Sequence, residues 1–179
     1  MFLLEHLDQT IKKAKGQIAN ILTLMNLGLG ALSIIFVLQN ELRMGLLFIT
    51  IAAVCDRLDG AAARRFQCTS EFGKQLDSLS DIVSFGVAPA LLIHQAILHE
   101  FGSVGAIFAI IFIICGAIRL ARFNVMESHG FFVGLPITAA GCILTFSSLL
   151  VPMLEAYSFM FITVILALMM VSSFKVRKM

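Results

Sequence analysis

Residues 43–98 read RMGLLFITIAAVCDRLDGAAARRFQCTSEFGKQLDSLSDIVSFGVAPALLIHQAIL, two apolar runs joined by a charged middle, and this pattern decides the fold. Roughly 20 mostly apolar residues are what an α-helix needs to cross the hydrocarbon of a bilayer. The runs at 43–63 and 75–98 meet that length. Neither alternates apolar and polar residues as a membrane barrel strand would, and an open sheet in lipid would leave backbone groups unpaired. The reading is therefore two membrane helices whose charged ends meet in a hairpin.

Working outward, further apolar runs fall at 17–39, 103–123, 133–153 and 156–174, separated by short polar or glycine-containing breaks. The expected fold is all-α, an integral membrane protein with six transmembrane helices. Composition agrees: 59% of the 179 residues are hydrophobic, 13% are charged and the mean hydropathy is +0.97. A soluble domain carries about a quarter charged residues, so the bilayer is the solvent here and no separate soluble domain fits. Residues 1–16, MFLLEHLDQTIKKAKG, mix apolar positions with Lys12, Lys13 and Lys15 and lack the order of a signal peptide. They are expected to form an amphipathic juxtamembrane helix on the interface, leaving 17–179 as the transmembrane domain.

With the N-terminus in the cytoplasm, twelve of the thirteen Lys and Arg residues fall on the cytoplasmic side and only Arg43 falls outside. The positive-inside rule then places both termini, and the charged hairpin, in the cytoplasm. Cys55, Cys68, Cys115 and Cys142 lie far apart with no CxxC pair, and they read as reduced structural thiols. His6, His94, His99 and His129 are scattered and receive no role.

Four of the five aspartates lie between positions 56 and 81. Carboxylates at a membrane helix end are costly, which makes a function the default hypothesis. Asp56 and Asp59 are spaced i, i+3, and Asp77 and Asp81 i, i+4, so each pair shares a helix face and the hairpin brings the faces together. Four carboxylates in one partly desolvated site repel one another unless a cation compensates them. Oxygen ligands select hard ions, so Mg²⁺ or Mn²⁺ is expected, as two ions. Such ions clamp phosphate or pyrophosphate groups for in-line displacement, so a phosphorylated substrate is expected. Gly60 and Ala63 after the first pair, and Gly73 before the second, leave room for a nucleotide diphosphate, although small residues also serve helix packing.

The stretch DRLDGAAARRFQCTSEFGKQLDSLSD, Asp56–Asp81, resembles the signature of the CDP-alcohol phosphotransferases, DxxDGxxARx₈Gx₃Dx₃D, at every defined position. The resemblance implies six helices, a homodimer, and cleavage of a CDP-activated lipid or alcohol with release of CMP. It implies that Asp56, Asp59, Asp77 and Asp81 are metal ligands, with Asp81 also the general base. Gly60, Ala63, Arg64 and Gly73 resemble CDP-binding positions. Asn20 and Thr23 in IANILTLMN would lie near the nucleotide, although Ala19 stands where the family usually has proline.

DSLSDIVSFGVAPA (77–90), RLARFNV (119–125) and FVGLP (132–136) resemble the membrane-spanning, phosphatidylserine-forming branch of that family. That likeness implies transfer of a phosphatidyl group from CDP-diacylglycerol to L-serine at the cytoplasmic face of the cell membrane, among membrane lipids. Phosphatidylglycerol phosphate synthesis and archaetidylserine synthesis are the alternatives, and no nucleic-acid partner is expected. A serine acceptor brings a carboxylate that a guanidinium can pair with two hydrogen bonds, and Arg119 and Arg122 are the candidates to supply it. An acceptor such as glycerol 3-phosphate would want a basic pocket too, so the choice of serine rests on the resemblance. A conduit for divalent cations would need acidic residues along the depth of the bundle, whereas these cluster at one end.

Overall fold

A computed structural model of the chain describes residues 2–66, 71–125, 131–172 and 175–177; side chains are described for most but not all of these. Six helical rods follow one another: α1 (Phe2–Leu38), α2 (Leu42–Phe66), α3 (Glu71–Ala96), α4 (Ser103–Val125), α5 (Ile137–Leu150) and α6 (Ala156–Val171). The chain is all-α, as expected. The one extended pairing among the described residues is a short antiparallel ribbon of β1 (Phe131–Val133) with β2 (Lys175–Arg177). Three segments, Asn20–Leu38, α3 and α4, are long and apolar enough to cross a membrane, and α5 and α6 are shorter apolar helices. The 25 residues of α2 carry the DxxD half of the acidic cluster in their second half. Residues 2–16 are helical, but continuous with the first span rather than set off from it.

α1 and α2 form an antiparallel hairpin closed by a left-handed residue, Asn40 at φ 65°. Asparagine tolerates that conformation better than most side chains, and here it ends the helix in a Schellman turn. Asn40 N–H donates to the Val37 carbonyl and Glu41 N–H to the Phe36 carbonyl. The two helices then pack closely at Gly45, where a Cβ would sit 2.6 Å from Val37 Cγ2, and the Ser33 hydroxyl donates to the Gly45 carbonyl at 2.9 Å.

α3 lies against α1 through small and hydroxyl-bearing residues, the usual means by which membrane helices approach when no hydrophobic drive separates helix from lipid. Ser80 Oγ donates to the Thr23 carbonyl at 3.2 Å and Ser84 Oγ to the Asn26 carbonyl at 3.0 Å. Gly30 faces Ser84 so closely that a Cβ would be 2.8 Å from its Cα.

Within α3, residues Ile82–Val87 widen into a π-turn before α-helical geometry resumes at Ala88. Pro89 explains it. Proline donates no N–H and its ring crowds the carbonyl four residues back, that of Phe85, so the helix locally opens. The opened Phe85 backbone is met by Gly141 of α5, where any Cβ would collide with the Phe85 carbonyl oxygen. Phe85, Phe112, Phe159, Ile93, Leu98, Ile137, Leu144 and Met170 fill the centre of the bundle, each buried to within 2%. The six rods thereby hold the ends of α2, α3, α4 and α5 around one cavity.

Candidate metal and phosphate site

The cavity, about 580 Å³, opens where α2 ends and α3 begins. Asp56, Arg57 and Gly60 of α2 form one part of its wall, and Lys74, Asp77, Ser78 and Asp81 of α3 another. Arg119, Leu120, Phe123 and Asn124 of α4 and Pro136 and Thr138 at the start of α5 complete it. The helical periodicity explains the α3 contribution, because positions 74, 77, 78 and 81 recur on one face.

Carboxylate oxygens of Asp56, Asp77 and Asp81 lie within 4.8 Å of one another. Opposite oxygens in the shell of a hard divalent cation, each about 2.0 to 2.5 Å from the ion, are separated by about 4 to 5 Å, so one ion fits among the three. Asp56 and Asp81 are within hydrogen-bond reach of each other, and the Asp56 charge acts on Asp77. Carboxylates that close need a proton or a cation between them. The oxygen-only donor set selects a hard ion over zinc.

Arg119 reaches this acidic wall from α4, and its guanidinium interacts electrostatically with Asp81. Its Nε is buried with no hydrogen-bond partner among the described residues, and the residue forms part of the cavity wall. Arg122 takes a different direction: its Nη1 donates to the Val171 carbonyl at the end of α6, 3.1 Å away, and it is not among the described cavity walls. The same end of α6 receives the Leu135 N–H at the Met169 carbonyl. Gly134, at φ 76° with a Cβ position 2.6 Å from the Met170 carbonyl oxygen, admits only glycine there. These contacts fix Pro136 and Thr138 at the cavity rim.

Of the expected site residues, Asp56, Asp77, Asp81, Gly60 and Arg119 meet in the cavity. The α2 backbone carries Asp59 one turn beyond Asp56, and Ala63 and Arg64 one turn further; their side chains lie outside the described residues. Asn20 is half-buried on α1, Thr23 is buried there with its carbonyl accepting from Ser80, and Gly73 sits in the first turn of α3. None of these three is among the described cavity walls. Cys55, Cys115 and Cys142 are free thiols, as expected, and Cys68 lies outside the described residues.

Sequence reasoning missed Lys74, Ser78 and Asn124. They form a small polar cluster at the rim: Asn124 Nδ2 donates to Ser78 Oγ at 2.9 Å, Ser78 Oγ donates to the Lys74 carbonyl at 3.1 Å, and Lys74 Nζ donates to the Asn124 carbonyl at 3.4 Å. Lys74 and Ser78 could have been found by extending the Asp77/Asp81 face one turn back; Asn124 carried no such signal.

Fold and site together define a helical membrane protein with a carboxylate-walled, arginine-bearing cavity at the ends of its helices. Residues 16–172 match the family model of the CDP-alcohol phosphatidyltransferases, and the chain belongs to that family. It is 37% identical over 134 residues to the CDP-diacylglycerol–serine O-phosphatidyltransferase of Helicobacter pylori, covering 73% of this chain and 56% of that protein. It is 36% identical over 137 residues to the Bacillus subtilis protein of the same name, covering 75% and 77%. An archaetidylserine synthase of Methanothermobacter thermautotrophicus is 36% identical over 157 residues, covering 86% and 66%. The chain thus spans a little over half the length of the Helicobacter relative.

Proposed function

We propose that the protein transfers the phosphatidyl group of CDP-diacylglycerol to the hydroxyl of L-serine and releases CMP. The observation that carries the reading is the meeting of Asp56, Asp77 and Asp81 with Arg119 in one cavity. The relatives' names support serine as the acceptor.

In this reading Asp56, Asp59, Asp77 and Asp81 hold two divalent ions, Mg²⁺ or Mn²⁺, which when bound neutralise the diphosphate and stabilise its displacement. Asp81 accepts the proton of the serine hydroxyl as its oxygen attacks the phosphorus that bears the diacylglycerol. The phosphoanhydride bond breaks and CMP leaves as a phosphate monoester. Gly60, Ala63, Arg64, Gly73, Asn20 and Thr23 receive the CDP moiety. Arg119 pairs with the serine carboxylate. Arg122, tied to the Val171 carbonyl, holds α4 against the end of α6 and so keeps Arg119 in place. The enzyme works as a homodimer in the cell membrane with termini and cavity on the cytoplasmic side, a topology supported by the distribution of Lys and Arg.

The second reading, serine transfer onto an archaeal ether lipid, is favoured by the long match to the archaetidylserine synthase. Both are tested by measuring CMP release by the protein in lipid vesicles. Diacyl and diether CDP donors are offered, each with serine, glycerol 3-phosphate or inositol. Serine is expected to give release at least tenfold faster than the other two acceptors. Faster release with glycerol 3-phosphate would overturn the assignment, and a preference for the diether donor would favour the second reading.

A further inference from the structure

Serine differs from the other alcohols accepted by such chemistry in presenting an ammonium beside its carboxylate. A carboxylate of the acidic cluster cannot hold that ammonium without giving up its place at the metal. A neutral, fixed carbonyl oxygen can, and the rim provides one.

Asn124 supplies it. Asn124 lines the cavity, and the Ser78 hydroxyl, which also donates to the Lys74 carbonyl four residues back, lies 2.9 Å from its Nδ2 and 3.3 Å from its Oδ1. Nδ2 donates to Ser78 Oγ, and Oδ1, an acceptor with two lone pairs, keeps capacity for a further donor. Lys74 is steadied by its bond to the Asn124 backbone carbonyl and keeps further ammonium protons for an anion. Arg119, five residues before Asn124 on the same helix, lines the same cavity. The wall therefore sets an amide acceptor among cations, Lys74 and Arg119 with Arg57 of α2, and suits a zwitterionic amino acid.

Resting on the serine reading above, we infer that Asn124, oriented by Ser78, selects an amino-acid acceptor by taking its α-ammonium on Oδ1, while Lys74 and Arg119 face its carboxylate. Asn124 contacts the acceptor; Ser78 is a positioning residue acting through it.

The test compares wild type, Asn124→Leu, Asn124→Asp and Ser78→Ala in vesicles, reading the KM for serine, the KM for the CDP-linked donor, and competitive inhibition by L-alanine and by propionate. Alanine keeps the ammonium and the carboxylate, and propionate keeps only the carboxylate. Losing one hydrogen bond to a charged group should raise the serine KM of Asn124→Leu about tenfold or more and weaken alanine inhibition equally. Propionate inhibition and the donor KM should stay within about twofold. Asn124→Asp, which retains an acceptor oxygen, should keep the serine KM within a few-fold, and Ser78→Ala should shift it in the same direction as Asn124→Leu but less. Parallel weakening of alanine and propionate, or an unchanged serine KM in Asn124→Leu, would overturn the inference while leaving the serine reading intact. If Asn124→Leu does not fold, Ser78→Ala decides by the same alanine-to-propionate comparison. Wild-type protein that releases no CMP with serine would overturn the serine reading, and this inference with it.

Discussion

Asp77→Asn is expected to lower the rate of CMP release on the order of a thousandfold or more, the several kcal/mol that a metal-held clamp contributes to phosphoryl transfer. The substitution keeps size and shape and removes only charge. Its effect follows from the geometry: the Asp77 oxygen is one of three within 4.8 Å of each other, and an amide in that place offers a weaker ligand without a compensating charge. Asp56→Asn and Asp81→Asn should behave alike, and Asp81→Asn also loses the proton acceptor. Turnover in vesicles, with melting temperature in detergent as the check on folding, measures this. A variant that melts normally and turns over within tenfold of wild type would show that the acidic cluster is not the catalytic centre.

Gly141→Ala is expected to be strongly damaging for a change of one methyl group. Its Cβ would collide with the Phe85 carbonyl oxygen and lie 2.9 Å from Phe85 Cα, both backbone atoms that no rotamer change can move. Overpacking of this kind costs about 1 to 3 kcal/mol, and helix-to-helix contact at a small residue has little slack. The collision point is in the π-turn that follows Asp81, so a shift of α3 there is passed to its carboxylates. The variant should therefore lose several degrees of melting temperature and most of its turnover. Gly28→Ala is the control, since nothing lies within 4 Å of the Cβ position there. Equal behaviour of the two variants would contradict the close packing of α3 on α5.

Much of this was legible in the residues themselves. Apolar run lengths gave six helices, because the bilayer sets how many residues a span must have, and the spacing of Asp56, Asp77 and Asp81 placed their side chains on facing helices. Carboxylates one helical turn apart carry their geometry in their numbering. Arg119 and Arg122 were not separable in that way: three positions apart near one helix end, they diverge because α6 ends beside Arg122 and offers it the Val171 carbonyl. The π-turn was hidden as well, since Pro89 announces a disturbed helix but not that Gly141 stands ready to meet the opened backbone. The Asn124–Ser78 pair depends on how α3 and α4 are set side by side, a long-range fact that no local pattern records. The continuity of α1 through residues 2–16 reflects an amphipathic stretch without a helix-breaking residue until Gly16, which α1 accommodates.

Binding of a hard divalent ion by these carboxylates is tested independently of turnover by titrating Mn²⁺ into the purified protein and following the loss of the free-ion electron paramagnetic signal. Wild type should take up Mn²⁺, more tightly when a CDP-linked lipid is present, and Asp77→Asn should bind it at least tenfold more weakly while melting at the same temperature. Equal Mn²⁺ uptake by wild type and Asp77→Asn would contradict the account.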